Sequence, residues 1–109
     1  MVVRGEVWLV NLDPTVGSEI QKTRPFIIVS PSEMHDHLRT VLIAPMTTGN
    51  KPAPFRIAVT FEKKQGLILL DQMRSVDKSR LVKKLGSISA MTLSETLLIL
   101  QELQEVFAE

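Results

Sequence analysis

The sequence predicts a small, mainly β domain of five or six antiparallel strands, closed by one amphipathic C-terminal helix. Short runs of β-branched and aromatic residues alternate with turn residues, and they follow one another too closely for parallel strands joined by helices. Helical periodicity is clear only at the end of the chain. The length of 109 residues fits a single domain over residues 1–109, and no repeat or linker interrupts it.

The strands differ in pattern. The predicted strands are Gly5–Leu12, Phe26–Val29, Val41–Met46, Phe55–Phe61, Leu67–Val76 and Leu85–Ile88. The first is rich in β-formers, the second and third are apolar throughout as buried strands are, and the fourth alternates apolar with polar residues. The fifth begins apolar and then alternates.

The connections carry turn chemistry. After Asp13–Ser18 a loop runs on to Thr23, which is longer than a hairpin needs, and long loops in compact domains are often functional. Pro31–Thr40 is a polar connection with room for one helical turn. Glu62–Gly66 reads as a charged turn, and Lys78–Leu81 as a turn or short helix.

The C-terminal helix has a start signal and one apolar face. Thr92–Glu95 fits a capping box, in which the threonine hydroxyl and the glutamate carboxylate satisfy each other's backbone amides. The apolar residues recur at three- and four-residue spacing: Leu93, Leu97, Leu100, Leu103 and Phe107.

Composition narrows the function classes. The chain has no cysteine, which excludes a disulfide scaffold, a cysteine zinc site and a thiol nucleophile. No signal peptide is visible at the start, and the longest apolar runs are too short to cross a bilayer, so we expect a cytoplasmic protein. The net charge of +1 means that any polyanion site must come from local clustering.

Two clusters of polar residues could be functional sites or ordinary surface. His35-Asp36-His37 resembles a metal clip, but two histidines without further ligands indicate a solvent-exposed loop instead, and we predict no metal and no cofactor. Basic residues concentrate near the end of the fifth strand, at Arg74, Lys78, Arg80, Lys83 and Lys84. That cluster is either a solvated turn or a phosphate-binding patch. Trp8 lies in an apolar run and is predicted to be core, so a stacking platform is not expected.

Arg24 is the sharper candidate. Pro25 fixes its own φ and biases Arg24 towards an extended geometry, directly before a buried strand that would hold it still. Polar pairs also end or edge two other strands, at Thr47-Thr48 and Asp71-Gln72. If the three sets meet on one rim, a planar arginine fork with hydroxyl and amide donors suits a phosphodiester.

These residues carry a resemblance. Arg4–Thr15, Gly17-Ser18-Glu19 and Thr23-Arg24-Pro25 resemble the opening of the MazF/PemK (Kid) toxin family. Pro45–Thr48 and Leu69–Asp77 resemble its later blocks, in order and over nearly the whole chain. The resemblance implies an SH3-like antiparallel β-barrel of the CcdB/Kid/MazF type. It also implies a homodimeric, metal-independent endoribonuclease toxin that cuts single-stranded RNA at short motifs, inhibits translation and growth, and is neutralised by a MazE/PemI-like antitoxin.

The resemblance also assigns residues. It makes Arg24 and Thr47 catalytic and places Glu19 on a loop over the site, with Thr48, Asp71 and Gln72 at substrate-contact positions. The basic residues proposed to bind RNA phosphates are Lys22, Arg74, Lys78 and Arg80. DNA would be contacted only through the antitoxin complex.

The chain also departs from part of the family. The Kid branch has an arginine two residues before the Asp-Gln pair and a histidine in the first loop, where this chain has Leu69 and Ser18. The pattern is therefore closer to the MazF branch.

Three alternatives remain. A gyrase poison of the CcdB type acts through a C-terminal Trp-Gly-Ile, whereas this chain ends Phe107-Ala108-Glu109. An SH3-like module for proline-rich ligands needs an aromatic groove, and the chain has no tyrosine and one tryptophan. A family member that only binds its antitoxin would not need Arg24 and Thr47, which are both present.

Overall fold

One antiparallel sheet and one long helix make up the fold. The computed structural model describes residues 2–12, 23–48 and 53–108. Its strands are β1 (Glu6–Asn11), β2 (Thr23–Ile28), β3 (Thr40–Thr47), β4 (Arg56–Phe61), β5 (Lys64–Leu69), β6 (Arg74–Asp77) and β7 (Leu81–Ser87), and helix α1 spans Ala90–Ala108. Short 3₁₀ turns cover Ser32–Asp36, Leu70–Gln72 and Lys78–Arg80.

The sheet is organised around β3. Its strand order is β4-β5-β3-β2-β1-β7, and β6 pairs with the same edge of β3 as β5 does. Residues Thr40–Ile43 pair with β6, while Met46 and Thr47 pair with β5. Because only the Lys78–Arg80 turn separates β6 from β7, the sheet β7-β1-β2-β3-β6 curls into a half-barrel. This architecture, with its single C-terminal helix, confirms the predicted fold class.

Both sides of the central strands are buried. Within the half-barrel lies the barrel core, formed by Val10, Phe26, Ile28, Val41, Ile43 and Val76. On the other side lies the helix core, whose members include Val7, Ile27, Val29, Ala44, Ile57, Val59, Ile68, Leu100 and Leu103. Alternate residues of one strand point to opposite sides, so a strand buried on both sides must be apolar throughout. That explains the unbroken apolar run of β2.

The structure corrects the prediction between residues 62 and 76. The expected turn Glu62–Gly66 is only Glu62-Lys63, whose φ angles of 51° and 65° fit a two-residue hairpin. The expected single strand Leu67–Val76 is two strands, β5 and β6, separated by the 3₁₀ turn Leu70–Gln72. This turn allows β5 to pair with the end of β3 and β6 to pair with the beginning of the same β3 edge.

The predicted capping box is also wrong. Helix α1 begins at Ala90, and the Ser89 hydroxyl accepts the amide of Thr92 at 3.1 Å. The Thr92 carbonyl instead accepts the hydroxyl of Thr96 at 2.7 Å, inside the helix. The predicted apolar face holds where side chains are described, since Leu100 and Leu103 are buried. In the described ranges no helix is long and apolar enough to span a membrane.

Glu6 is a buried carboxylate that ties β1 to β7. It accepts the Val3 amide at 2.9 Å and the Trp8 indole at 3.1 Å, and its other oxygen lies 2.7 Å from the Lys84 ammonium. Burial raises the pKa of the Glu6 carboxyl, but these hydrogen bonds and the charge of Lys84 outweigh burial and leave the pKa below its ordinary value of 4.5. Trp8 packs against the barrel core, as predicted.

We predict that Glu6→Gln lowers stability in a pH-dependent way. A carboxyl whose pKa is depressed by folding stabilises the fold above its unfolded pKa, and this contribution disappears as the pH falls through the lower folded value. At neutral pH the variant should lose about 1–2 kcal/mol, the worth of a charge-assisted hydrogen bond. The difference should shrink progressively below about pH 4.5.

Thermal unfolding of both proteins between pH 3 and pH 8 measures this difference. Glu95→Gln serves as the control, because Glu95 is exposed on α1. A Glu6→Gln deficit that stays constant with pH would show that the charge of Glu6 contributes nothing.

Candidate active site

Arg24 lies inside β2, not in the loop before it. The Cα register places Arg24 opposite Val10 of β1, and Phe26 and Ile28 follow it on the same side of the strand. Those two residues are buried in the barrel core, whereas Arg24 is exposed. The guanidinium is therefore carried by a rigid strand at the point where the barrel core meets the surface.

Thr47 reaches the same rim from the neighbouring strand. The β2–β3 register pairs Phe26 with Pro45, and two further steps along it place Arg24 level with Thr47. Residues at the same level of neighbouring strands share a side of the sheet, and the described β2–β3 pairs end at Phe26 and Pro45, two residues before this level. The structure thus brings Arg24 and Thr47 together, and Thr47 is half-buried.

Gly66 allows β5 to approach β3 closely beside Thr47. A Cβ atom built on Gly66 would lie 2.1 Å from the Thr47 carbonyl oxygen and 3.5 Å from the Thr48 Cα. No side chain fits there without moving the backbone. The position of Thr47 therefore depends on a glycine in the adjoining strand.

The same side of the sheet continues across β5 and β4. Thr47 pairs with Leu67, Leu67 with Ala58, and Leu69 with Arg56. We call this side, which faces away from α1, the open face; its described members are Arg24, Thr47, Leu67, Leu69, Ala58 and Arg56. Leu67 and Leu69 are buried, each with 7% of its surface exposed. Ala58 is exposed and Arg56 is half-buried, so the part contributed by β4 is accessible.

Asp71 and Gln72 lie in the 3₁₀ turn after β5, and both are exposed. The Asp71 Oδ2 is 3.4 Å from an Arg56 terminal nitrogen. This pair sits at the β4 edge of the open face. The described contacts thus connect Asp71 to Arg56.

Thr48 belongs to the other side of β3. It is exposed and follows Met46 on the side that faces α1. There it lines a cavity of about 350 Å³, together with Pro25, Met46, Phe61, Gly66 and Leu85. Thr47 lines the same cavity, which therefore lies at the end of β3 that carries the candidate site.

The basic cluster is divided in the structure: Arg74 and Lys78 lie beside the first half of β3, whereas Lys83 and Lys84 pair with Leu9 and Trp8 of β1. Arg74 pairs with Ile43, and Lys78 follows Asp77, the partner of Thr40. Thr40 and Thr47 are separated by about 23 Å of extended strand. The Lys78 ammonium donates to the His35 carbonyl, and Arg80 is half-buried. The structure does not bring Lys78 to Arg24, whereas Arg80 directly precedes Leu81, which pairs with Val10, the partner of Arg24.

One carboxylate in this cluster has a local role. The Asp77 side chain accepts the Ser79 amide at 2.8 Å and caps the 3₁₀ turn. This hydrogen bond, aided by nearby Arg39 and Arg80, lowers the pKa of the Asp77 carboxyl. Lys22, predicted to contact phosphate, and Glu19, predicted to lie on a loop over the site, are outside the described residues.

His35 is a buried structural residue, so the prediction of an exposed loop is wrong for it. Its Nδ1 lies 2.8 Å from the Val2 carbonyl and its Nε2 2.7 Å from the Ser30 hydroxyl. Ser30 also accepts the Leu42 amide at 3.1 Å. An imidazole that donates from Nδ1 and accepts at Nε2 satisfies this whole chain of bonds. Within residues 2–12, 23–48 and 53–108, no group of three or more metal-ligating side chains occurs.

Sequence reasoning missed two residues, Glu6 and Arg56. A charged residue between Gly5 and Val7 in an apolar strand is a signal for a paired buried carboxylate. Arg56 stands at the first polar position of the alternating strand β4, which marks the side turned away from the helix core. Its cross-strand partner is Leu69, a pairing that no local pattern reveals.

Comparisons with known proteins agree on one family. A family model described as the PemK-like, MazF-like toxin of type II toxin-antitoxin systems matches residues 3–106. The chain is 36% identical over 100 residues to an endoribonuclease PemK of Escherichia coli, covering 86% of this chain and 75% of that one. It is also 36% identical over 101 residues to an endoribonuclease MazF of Staphylococcus epidermidis, covering 87% and 84%.

A solved structure agrees in fold. The MazE-MazF crystal structure (Form-II) from Deinococcus radiodurans superimposes with a TM-score of 0.75 at 26% identity, over 94% of each chain. The family model spans almost the whole chain, and it agrees with the sequence blocks that carry Arg24, Thr47 and Asp71. The chain therefore belongs to the PemK/MazF-like family of type II toxin–antitoxin toxins.

Proposed function

We propose that this chain is a metal-independent endoribonuclease toxin that cuts single-stranded RNA, with messenger RNA as the target class, at short sequence motifs. The observation that carries the proposal is that the strand register sets Arg24 and Thr47 at the same level of neighbouring strands, with Arg24 exposed and Thr47 half-buried. Membership of a toxin family whose relatives are endoribonucleases supports it. That membership does not favour a gyrase poison.

The reaction is an attack of the RNA 2′-hydroxyl on the adjacent phosphorus. The new bond joins the 2′-oxygen to phosphorus, the bond to the 5′-oxygen breaks, and the hydroxyl proton leaves to a base while the leaving oxygen gains a proton. The products are a 2′,3′-cyclic phosphate and a 5′-hydroxyl. Because the nucleophile is already part of the substrate, the enzyme mainly has to position the phosphate and stabilise its charge.

Arg24 supplies that charge. Its guanidinium is cationic at any working pH, and its planar fork matches two phosphate oxygens. A preorganised donor of this kind contributes about 3–4 kcal/mol to transition-state stabilisation. Thr47, at the same level of the neighbouring strand, donates its hydroxyl to a non-bridging oxygen in this mechanism and holds the in-line geometry.

The proton acceptor is a separate question. Asp71 is an acceptor by chemistry, but its carboxylate is paired with Arg56 two strands away from β3. An arginine is a poor base. We therefore assign Arg24 and Thr47 catalytic roles, and we keep Glu19, Thr48, Asp71 and Gln72 as candidates for a catalytic or a substrate-contact role.

The partners follow from the family. We propose a homodimer in the cytoplasm whose RNA site is covered by a MazE/PemI-like antitoxin, with DNA contacted only through that complex. The MazE-MazF crystal structure of a relative supports the antitoxin. RNA cleavage would stop translation and arrest growth when the antitoxin is lost.

Arg24→Ala should abolish cleavage and leave the fold intact. Arg24 is exposed, so its removal leaves no cavity, whereas the loss of about 3–4 kcal/mol of transition-state stabilisation lowers kcat by about 10²–10³-fold. The measurement is single-turnover cleavage of a long single-stranded RNA, with circular dichroism as the check on folding. Arg39→Ala, at the far end of β3, is the control; cleavage by Arg24→Ala at the parental rate would remove Arg24 from the site.

An RNA with a 2′-methoxy group at the cut site should resist cleavage, because the nucleophile is blocked. The same RNA methoxylated elsewhere should be cut normally and end in a 2′,3′-cyclic phosphate, which mass spectrometry identifies. Chelator should leave the rate unchanged, since this route uses no metal. A cut at the methoxylated position would exclude 2′-hydroxyl attack.

Gly66→Ala should reduce activity through Thr47. The new methyl group meets the Thr47 carbonyl at 2.1 Å, so β5 and β3 must separate and the threonine moves. A displacement near 1 Å costs about 10²-fold in rate. Gln65→Ala, one residue earlier and exposed, is the matched control. Parental kcat in Gly66→Ala would mean that Thr47 needs no precise placement.

A further inference from the structure

A second arginine shares the open face with Arg24. Arg56 pairs with Leu69, two residues along β5 from Leu67, which pairs with Thr47. Residues two apart on a strand, and residues paired across strands, point to the same side of a sheet. Arg56 and Arg24 therefore flank Thr47 on one surface, at opposite edges of the segment β2-β3-β5-β4.

The Arg56 guanidinium is held in place but makes few contacts within the protein. Its only described ion pair joins a terminal nitrogen to the Asp71 carboxylate at 3.4 Å, beyond the usual length of a charge-assisted hydrogen bond. Its Nε is buried and has no hydrogen-bond partner among the residues described. The side chain is 30% exposed. Because the Nε end of the guanidinium is buried, the group has little freedom to move, and the ion pair with Asp71 orients it. Its terminal nitrogens still have N–H donors for a ligand.

The separation of the two arginines suits one RNA strand. Three strand spacings and a two-residue offset place their Cα atoms about 16 Å apart on a flat sheet. A single-stranded chain covers such a span in a few nucleotides, and proteins that bind single strands track the backbone with spaced cations. The exposed Ala58 and the buried Leu67 lie between the two arginines and contribute no charge of either sign.

We propose that Arg56, oriented by Asp71, binds a phosphate of the RNA backbone a few nucleotides from the one that Arg24 engages. The proposal rests on the ribonuclease function proposed above, and it makes β4 a substrate subsite. It also gives Asp71 a positioning role for the subsite in place of one in proton transfer. The competing possibility is that the Arg56–Asp71 pair only fastens the 3₁₀ turn to β4.

The test compares substrates of different length. Arg56→Gln keeps the length and a hydrogen-bond donor for Asp71 but removes the charge, and Arg39→Gln makes the same change at the far end of β3. Each variant and the parent cut a minimal oligonucleotide that holds the cleavage motif, and a version extended by six nucleotides on either side. Kcat and KM are measured at several salt concentrations, and thermal unfolding reports stability.

A phosphate contact at Arg56 predicts a specific pattern. On the extended RNA, Arg56→Gln should raise KM by about tenfold with kcat unchanged, and reduce the slope of log KM against log salt by about 0.7, the value for one single-strand phosphate. On the minimal RNA the variant should match the parent. A purely structural pair would instead lower stability and impair both substrates alike, which would overturn the proposal.

Neutral methylphosphonate linkages then locate the contact. Placed one at a time in the extended RNA, one such linkage should weaken binding to the parent and to Arg39→Gln but not to Arg56→Gln. If every linkage affects the parent and Arg56→Gln equally, the subsite is excluded. If the parent cuts neither RNA, the ribonuclease function itself fails, which is a different outcome from loss of the subsite.

Discussion

Strand β3 pairs with two different strands along one edge, and the rest of the structure depends on that division. Its first half binds β6, which closes the half-barrel, and its last two residues bind β5, which carries the sheet outward to β4. The chain can use one edge twice only because Leu70–Gln72 forms a tight 3₁₀ turn between β5 and β6. Thr47 lies where the barrel ends and the open face begins.

This division explains why the candidate site is rigid. Arg24 and Thr47 stand on strands that carry fully buried residues two or three positions away, Phe26 and Ala44, so neither backbone can shift without disturbing a packed core. Gly66 presses β5 against the Thr47 carbonyl from the other side. Sites built on strands hold their geometry more precisely than sites on loops, and a phosphoryl-transfer reaction depends on such placement.

The sequence predicts the fold class well because each strand obeys a local rule. The apolar runs of β2 and β3 and the alternation of β4 reflect burial on two sides or one, which depends on composition alone. The break between β5 and β6 within Leu67–Val76 cannot be predicted from composition. Leu70 is as apolar as a strand residue, and nothing local shows that β3 has two partners on one edge. The capping box failed for a similar reason, since Ser89 and Thr92 both offer hydroxyls at capping spacing.

The site divides in the same way. Arg24 and Thr47 could be predicted as site residues from an arginine before a proline, a polar strand end and the family resemblance, whereas Arg56 requires the β4–β5 register. The prediction for His35 was wrong because a polar connection does not show in sequence whether a histidine is buried. Its burial is explained by Ser30 and the Val2 carbonyl, which satisfy both ring nitrogens. Partners distant in sequence decide these cases, and a single sequence does not report them.

Because the net charge of the protein is small, RNA binding depends on individual arginines. With a net charge of +1, the chain has little general attraction for a polyanion. A protein of this kind binds RNA through a few placed cations and through contacts to bases, so the salt dependence of its binding is shallow. Such an enzyme discriminates among RNA sequences because its affinity depends on the fit of the bases between its fixed phosphate contacts.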